Sequence, residues 1–289
     1  MNEMVLPRLL ADRLAGPADA FRQESAGSVR LGMPQLSGVG LSETWLLKEL
    51  ADRHWMMLAH AVGLDAPDFR DELGHPVYAA FCAVRIEEAR FELARENGRL
   101  GVASSICRVS RTQVLSRHAL DLDGLRAGVV EMVSTFVKRT GASNHSIARV
   151  PVAGLVPIDV LAADLPTLAA AFRGGRVRSH LGFDLTAKRE GEAAETFQPC
   201  PAQDFNGAGF LYFTSFLGFV DRTEWQLEQR RIEPLRRREV HYYGNVDAGE
   251  DLRVELLASR DGGLSRWWQI RRAGSSVPLA DVFTQRARA

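Results

Sequence analysis

Two closely spaced glycines stand directly before a predicted amphipathic helix, in the stretch GMPQLSGVGLSETWLLKELADRHW. They are Gly38 and Gly40, and Leu41 follows them. Backbone N–H groups at the start of a helix are unpaired, and the positive end of the helix dipole favours negative charge. We therefore predict that N–H donors near Gly38, Gly40 and Leu41 stabilise a carbonyl oxygen that becomes negatively charged in a reaction. The alternative is that the glycines only allow close packing of the helix against a sheet.

Two other polar stretches could contact the same substrate. Asn144 and His145 lie in GASNHS, and Asn206 and Gly207 lie in DFNG, directly before a second apolar segment. Amide and imidazole groups can hydrogen-bond a carboxylate or a thioester. Asparagine also closes turns and caps helices through bonds to the nearby backbone. The sequence leaves both kinds of role open at these positions.

The sequence lacks the usual motifs of nucleotide, serine and metal chemistry. No G-x-S-x-G serine elbow occurs. Neither glycine pair continues to G-x-G-x-x-G, because Glu43 and Tyr212 occupy the third glycine positions, and no G-K-[ST] phosphate loop occurs. H-E-x-x-H is absent and the 7 histidines are scattered. We therefore expect neither a metal site nor an organic cofactor.

The elements that must position these residues occur twice. GVGL leads to Asp52-Arg53, and GAGF leads to Asp221-Arg222 at the same spacing. Each glycine pair precedes a helical pattern, and each helix precedes a run of short strands with turns at 96–98, near 111, at 261–263 and at 273–275. A buried helix followed by an antiparallel meander is the hot-dog pattern. Its repetition predicts an α+β fold of two tandem hot-dog domains.

The boundaries of these elements also follow from local signals. Ser42 is placed to cap the first helix and Gly63 to end it, and Phe210–Trp225 forms the second helix, apolar nearly all round. We predict that a helix over Leu125–Lys138 closes the first copy. A junction near Arg149-Val150-Pro151, where the second copy's leading strand would begin, divides the chain into domains 1–150 and 151–289.

Length and composition exclude several classes of protein. A chain of 289 residues is ordinary for two domains. The 36 Lys+Arg balance the 36 Asp+Glu, which argues against a nucleic-acid partner, and no apolar run is long enough for a bilayer span. The 3 cysteines are far apart, and the first residues lack an export signal. These features indicate a cytoplasmic protein without disulfides.

Four stretches resemble the double hot-dog acyltransferase/decarboxylases of polyketide biosynthesis, the LnmK type. They are GMPQLSGVGLSETWLLKELADRHW, GHPVYAAFCAV, SNHSIAR and DFNGAGFLYF, and the order of elements agrees over essentially the whole chain. The resemblance implies a substrate such as methylmalonyl-CoA or malonyl-CoA, an acyl carrier protein as partner, and a tyrosine that is acylated on the strand after the first helix. Tyr78 occupies the matching position. Taken alone, Tyr78 is a core or half-buried strand residue.

Three functions are therefore open. The first is decarboxylating acyl transfer through Tyr78, without a cofactor because the thioester carbonyl accepts the electrons. The second is a thioesterase or dehydratase of the same fold, in which Asp204 or Glu43 would act on water. The third is a non-catalytic module that binds an acyl carrier protein or acyl-CoA. We expect one active site, mostly in the first copy, and the repeat is compatible with a homodimer.

Overall fold

A large antiparallel sheet wraps around two long helices, one from each half of the chain. The computed structural model describes residues 23–110, 112–150, 164–187, 191–228 and 232–288. The helices are α1 (Glu43–Ala61), α2 (Asp164–Arg173), α3 (Pro201–Asp204) and α4 (Phe213–Glu228). The strands are β1 (Gln23–Arg30), β2 (Leu36–Ser37), β3 (Gly40–Leu41), β4 (Tyr78–Glu87), β5 (Arg99–Arg108), β6 (Gln113–Leu122), β7 (Leu125–Arg139), β8 (Ile147–Arg149), β9 (Ser179–His180), β10 (Phe183–Asp184), β11 (Ala193–Phe197), β12 (Leu235–Tyr242), β13 (Leu252–Arg260), β14 (Ser265–Arg272) and β15 (Pro278–Arg286).

The two halves of the sheet mirror each other. Over the described residues the sheet has 11 strands in the order β1-β5-β6-β7-β4-β12-β15-β14-β13-β11, and β8 pairs with β7. The strands that follow the long helices, β4 and β12, meet at the centre. Two helix-and-meander units joined through their central strands confirm the predicted α+β double hot-dog fold.

Local sequence signals explain both ends of α1. Ser42 caps the helix, its Oγ accepting a hydrogen bond from the Trp45 N–H at 3.3 Å, and the acidic Glu43 lies in the first turn. Gly63, with a φ of 79°, follows the last turn. Between these ends the leucines at 46, 47 and 50 are fully buried. The predicted first helix is confirmed.

The second helix, α4, shares one core with α1. Phe216, Phe219 and Val220 of α4 are buried in the same hydrophobic cluster as Leu50 of α1 and Trp268 of β14. A single core therefore holds side chains from both copies. Because its apolar area comes from both halves, we expect the two halves to unfold together.

The prediction of a helix over Leu125–Lys138 is wrong. These residues form β7, which pairs with β4 and β6. The segment is rich in β-branched residues, and Ala127 to Val137 are all buried. A strand that is buried on both faces shows no apolar–polar alternation, so its period cannot be distinguished from that of a buried helix.

The boundary between the two copies stays a prediction. The strand predicted to begin near Pro151 falls at 151–163, outside the described residues. In the second half, β11 is the described strand equivalent to β1. It pairs with β13 as β1 pairs with β5. No described helix is both long and apolar enough to cross a membrane.

A buried chain of histidines and serines lies beneath α1. His54 contacts Ser116 Oγ through Nδ1 at 2.7 Å and Ser134 Oγ through Nε2 at 2.8 Å. Ser116 in turn contacts His118 Nε2 at 2.9 Å, and Ser104 contacts His118 Nδ1 at 2.8 Å. Burial lowers the pKa of His54 to about 3 and that of His118 well below its usual value. Both rings are therefore neutral at physiological pH, and their hydrogen bonds stabilise the core.

The buried histidines of this hydrogen-bonded chain predict that acid lowers the stability of the fold. Below about pH 6.5 the unfolded chain protonates histidines that the folded protein keeps neutral, so stability falls as pH drops from about 6.5 towards 3. Each buried histidine contributes up to about 1.4 kcal/mol per pH unit. The free energy of unfolding, measured by urea denaturation at several pH values, should change less steeply with pH in His54→Gln than in wild type. His60 is exposed, so His60→Gln is the control. The same pH dependence of the unfolding free energy in all three proteins would contradict a buried, neutral His54.

Candidate functional site

The central strands separate at one end of the sheet. Strands β4 and β12 pair only where Ala83–Ile86 faces Arg238–His241. The first residues of β4, from Tyr78 on, continue to pair with β7, but no described strand pairs with them on the β12 side. Trp55 of α1 donates its indole N–H to the Ala79 carbonyl at 3.0 Å and so satisfies one backbone group of the opened strand.

A cavity of about 860 Å³ lies at this opening. Its walls come from both copies: the start of β4, the ends of β7 and β8, the loop before α4, and the end of β12. Five of the residues singled out from the sequence line it, namely Tyr78, Asn144, His145, Asn206 and Gly207. The fold therefore brings together residues that are far apart in the chain.

The Tyr78 side chain lines this cavity. Its ring packs edge-on against Phe210 with the ring centroids 5.4 Å apart, and the Arg139 guanidinium lies 4.0 Å from the Phe210 centroid. The Tyr78 side chain is half-buried, and its hydroxyl has no hydrogen-bond partner among the described residues. Among the described residues the ring is held by packing contacts, and its hydroxyl can bind a ligand.

Asn144 is a clamp between the two copies. Its Nδ2 donates to the carbonyls of Gly209 and Val246, both at 2.7 Å, and its Oδ1 accepts from Arg139 Nε at 2.8 Å. The side chain is buried, and every polar group on it is engaged. Asn144 therefore positions the loop before α4 and has no free group for a substrate.

His145 and Asn206 hold the loops around the opening. His145 Nε2 lies 2.7 Å from Glu250 Oε2, an ion pair when the ring is protonated. Asn206 Oδ1 accepts from the N–H groups of Ala208 and Phe210, at 3.1 and 3.0 Å. Asn206 thus has the turn geometry that its residue type allows. The N–H of the next residue, Gly207, has no partner among the described residues.

Gly38, Gly40 and Leu41 lie outside the cavity lining. They belong to the β2–β3 hairpin before α1, where Leu41 is buried in the core and Gly38 is exposed. A Cβ on Gly40 would lie 2.2 Å from the Phe91 carbonyl oxygen, and the φ of Gly40 is 112°. The close backbone approach explains this glycine without any ligand.

Gly40→Ala is expected to destabilise the protein by roughly 3 kcal/mol, because it combines a backbone clash with a strained φ. Gly38→Ala is the matched control. A Cβ at Gly38 meets no atom within 4 Å, so we expect a change within about 0.5 kcal/mol. Chemical denaturation of both variants checks the difference. Equal stability of the two variants would contradict the packing role of Gly40.

The charge of the cavity lining is a feature that sequence reasoning missed. Lys48, Arg149, Arg173 and Arg272 line the cavity, and its described lining contains no aspartate or glutamate. The chain as a whole carries no net charge, so this imbalance is local. These cations come from four separate elements. The local sequence around each of them does not predict that they line one cavity.

The two carboxylates considered for water activation lie elsewhere. Burial raises the pKa of Glu43 to about 7, against the opposing effect of Arg238, whose Nη1 lies 3.3 Å away. Asp204 accepts a hydrogen bond from the Cys200 N–H at 2.8 Å. Neither side chain lines the large cavity.

Two side-chain clusters have donor atoms close enough for a metal ion. One is His180, Glu239 and His241, and the other is His145, Asp247 and Glu250. In the first cluster, Glu239 Oε1 already lies 2.7 and 2.8 Å from the two imidazole nitrogens. The buried Nδ1 of His241 has no described partner, whereas metal-bound histidines usually donate their second N–H. These contacts describe a carboxylate held by imidazoles.

No protein-family model and no curated protein matches the sequence. Solved structures share its fold. The 12:0-ACP thioesterase from Umbellularia californica has a TM-score of 0.65 at 8% identity, over 92% of this chain and 98% of that chain. A putative oleoyl thioesterase from Lactobacillus plantarum has 0.60 at 14%, over 92% and 97%. An acyl-ACP thioesterase from Bacteroides thetaiotaomicron has 0.59 at 11%, over 91% and 97%. The chain therefore has the fold of hot-dog thioesterases.

Proposed function

We propose that this protein is a decarboxylating acyltransferase that moves the acyl group of methylmalonyl-CoA or malonyl-CoA, through Tyr78, to an acyl carrier protein. The observation that carries this proposal is that Tyr78, whose hydroxyl has no described hydrogen-bond partner, lines a cavity whose described lining is cationic and lacks carboxylates. A phenol is a nucleophile that can both accept and return an acyl group. The cationic lining suits an anionic acyl thioester.

Acyl transfer to Tyr78 is the first step. The Tyr78 oxygen attacks the thioester carbonyl, the C–S bond breaks, and the phenol proton passes to the leaving sulfur as free CoA forms. The bond from the α-carbon to the carboxylate then breaks. Its electron pair forms the enolate of the tyrosyl ester, CO2 leaves, and a proton from solvent adds to the α-carbon. The carrier thiol finally attacks the shortened ester, and its proton returns to Tyr78.

The oxyanion and enolate oxygens need N–H donors at the cavity. The cavity lining includes Gly207 and Phe213, the first residue of α4, and their N–H groups have no partner among the described residues. We assign the donor role to these groups, in place of Gly38, Gly40 and Leu41. The physical basis of the original prediction, a glycine loop before a helix, applies equally to the second copy.

Mass spectrometry of the intact protein tests the proposal. With methylmalonyl-CoA we expect CO2 release and an acyl adduct on the protein. With a phosphopantetheinylated carrier protein added, we expect the adduct to disappear as propionyl-carrier forms. The absence of both an adduct and carrier acylation would refute acyl transfer. Binding of acyl-CoA without any turnover would instead support a binding module.

Hydrolysis of an acyl-ACP thioester is the second candidate. It is favoured by the names of the similar solved structures, since all three are called thioesterases. Water attack requires a general base, and His145 is the one histidine on the described lining. In the same assay, free acid and CoA formed without an adduct would support this candidate.

A further inference from the structure

Tyr78 and Arg149 stand in one lateral row of the sheet. Tyr78 is paired with Val137 of β7, and Val137 is paired with Arg149 of β8. Directly opposite residues of adjacent antiparallel strands point to the same face. With strands about 4.8 Å apart, the Cα atoms of Tyr78 and Arg149 lie roughly 10 Å from each other. Both long side chains line the cavity, so their polar ends can reach one small ligand.

Arg173 brings a second cation to the same place. It is the last residue of α2, and its Nη2 and Nη1 donate to the carbonyls of Tyr242 and Tyr243 at 2.7 and 3.3 Å. These bonds fix the guanidinium at the end of β12, where the central strands have separated. Burial and the nearby Arg149 charge both lower the pKa of Arg173. Arg149 and Arg173 thus both place guanidinium groups in the lining of one cavity.

Neither arginine has a carboxylate partner among the residues that the structure describes. Other arginines of this protein do: Arg85 contacts Asp164 and Glu239, and Arg266 contacts Glu224. Two like charges in the lining of one cavity repel each other, and a bound anion offsets this cost. Guanidinium groups bind carboxylates in a planar, directional way. The pair is therefore suited to an anionic group of a ligand.

We infer that Arg149 and Arg173 bind the free carboxylate of a dicarboxylic acyl group whose thioester carbonyl lies at Tyr78. The inference rests on the proposed binding of acyl thioesters in this cavity, and it assigns the residues that select the acyl group. A carboxylate of a malonyl-type group is only a few bonds from the reacting carbonyl, as the row of Tyr78 and Arg149 requires. The phosphates of CoA are separated from that carbonyl by the whole pantetheine arm.

The pairing has a kinetic consequence. An arginine stabilises the carboxylate before CO2 is lost, so it contributes to binding and does not accelerate bond cleavage. Loss of an arginine should therefore raise KM more than it lowers kcat for carboxylated substrates. A purely structural role of either side chain would affect carboxylated and uncarboxylated substrates alike.

Binding of two unreactive CoA thioethers tests the inference. One ends in a carboxylate and the other in a methyl group of matched length, so both carry the same CoA phosphates. By calorimetry we expect wild type to prefer the carboxylate. Arg149→Gln and Arg173→Gln should each reduce that preference by about 10-fold, the typical loss of a charged hydrogen bond. Arg149→Gln removes an exposed side chain with no described bonds, so it should leave the melting temperature unchanged.

Two controls separate the possible failures. Arg176→Gln changes an exposed arginine outside the cavity lining and should keep the preference. Tyr78→Phe should also keep it, because binding needs no nucleophile. Absence of the preference in wild type, its persistence in both arginine variants, or equal weakening of both thioethers would overturn the inference. If wild type prefers the carboxylate thioether, the arginine variants lose this preference, and the protein turns over no acyl-CoA, the proposed function alone is overturned. Failure of both thioethers to bind would overturn both.

Discussion

Replacing Tyr78 with phenylalanine is expected to abolish the acyl adduct and to lower kcat/KM for acyl transfer by roughly 10³-fold or more. The variant removes one oxygen atom, the one that would form the ester. The ring keeps its edge-on contact with Phe210, and the lost hydroxyl has no partner among the described residues. We therefore expect stability to change by less than about 0.5 kcal/mol, so that loss of activity cannot be ascribed to unfolding.

Tyr212→Phe is the matched control for this prediction. Tyr212 lines the same cavity from the loop before α4, and burial raises the pKa of its phenol to about 12. A group of that pKa is a poor nucleophile near neutral pH. Adduct formation measured by intact mass and CO2 release should survive in Tyr212→Phe. If the adduct forms in Tyr78→Phe but not in Tyr212→Phe, the nucleophile is Tyr212 of the second copy.

Glu239→Ala is expected to reduce the free energy of unfolding by about 3 to 5 kcal/mol, the usual cost of removing one partner from a buried ion pair. Glu239 is fully buried in β12. Its Oε2 accepts from Arg85 Nε at 2.9 Å and from Arg237 Nη2 at 3.0 Å, while its Oε1 faces His180 and His241. Alanine would leave two guanidinium groups and two imidazoles around an empty site.

The same carboxylate also supports the cavity wall. Arg85 bridges Glu239 to Asp164 at the start of α2, and Phe172 near its end stacks on His241 with centroids 3.9 Å apart. Loss of Glu239 should therefore loosen α2 and displace Arg173. Urea denaturation measures the stability. Glu49→Ala is the control, because the Glu49–Arg53 pair on α1 is a partly exposed i,i+4 pair worth only about 0.5 kcal/mol. An equal effect of both variants would contradict the assigned role of Glu239.

The pH dependence of this effect has a definite sign. Burial alone would raise the pKa of Glu239, but its hydrogen bonds and charge interactions with His180 and His241 hold that pKa far below its usual value. Its contribution is therefore complete above about pH 4.3, the unfolded pKa, and is lost as pH falls further. The stability difference between wild type and Glu239→Ala should shrink in strong acid.

Local signals in the sequence determined most of the elements. The cap at Ser42 and the glycine after α1 mark the ends of the first helix, and the turn residues at 261–263 and 273–275 separate the last three strands. Capping and turn formation depend on residues within a few positions of each other, so one stretch of chain contains the whole signal. The repeated order of these elements was enough to predict the double hot-dog fold.

Only the tertiary structure decided what depends on distant pairing. The separation of β4 from β12, which makes room for the cavity, results from strand pairing between the two copies. Pairing of β7 with β4 and β6 made Leu125–Lys138 a strand with 127–137 buried on both faces, and packing of the β2–β3 hairpin set Gly40 against the Phe91 backbone. Packing of the whole chain also brought Arg149, Arg173 and Tyr78 to one cavity. Such contacts join residues with no common local pattern, because they follow from the packing of the whole sheet around its two helices.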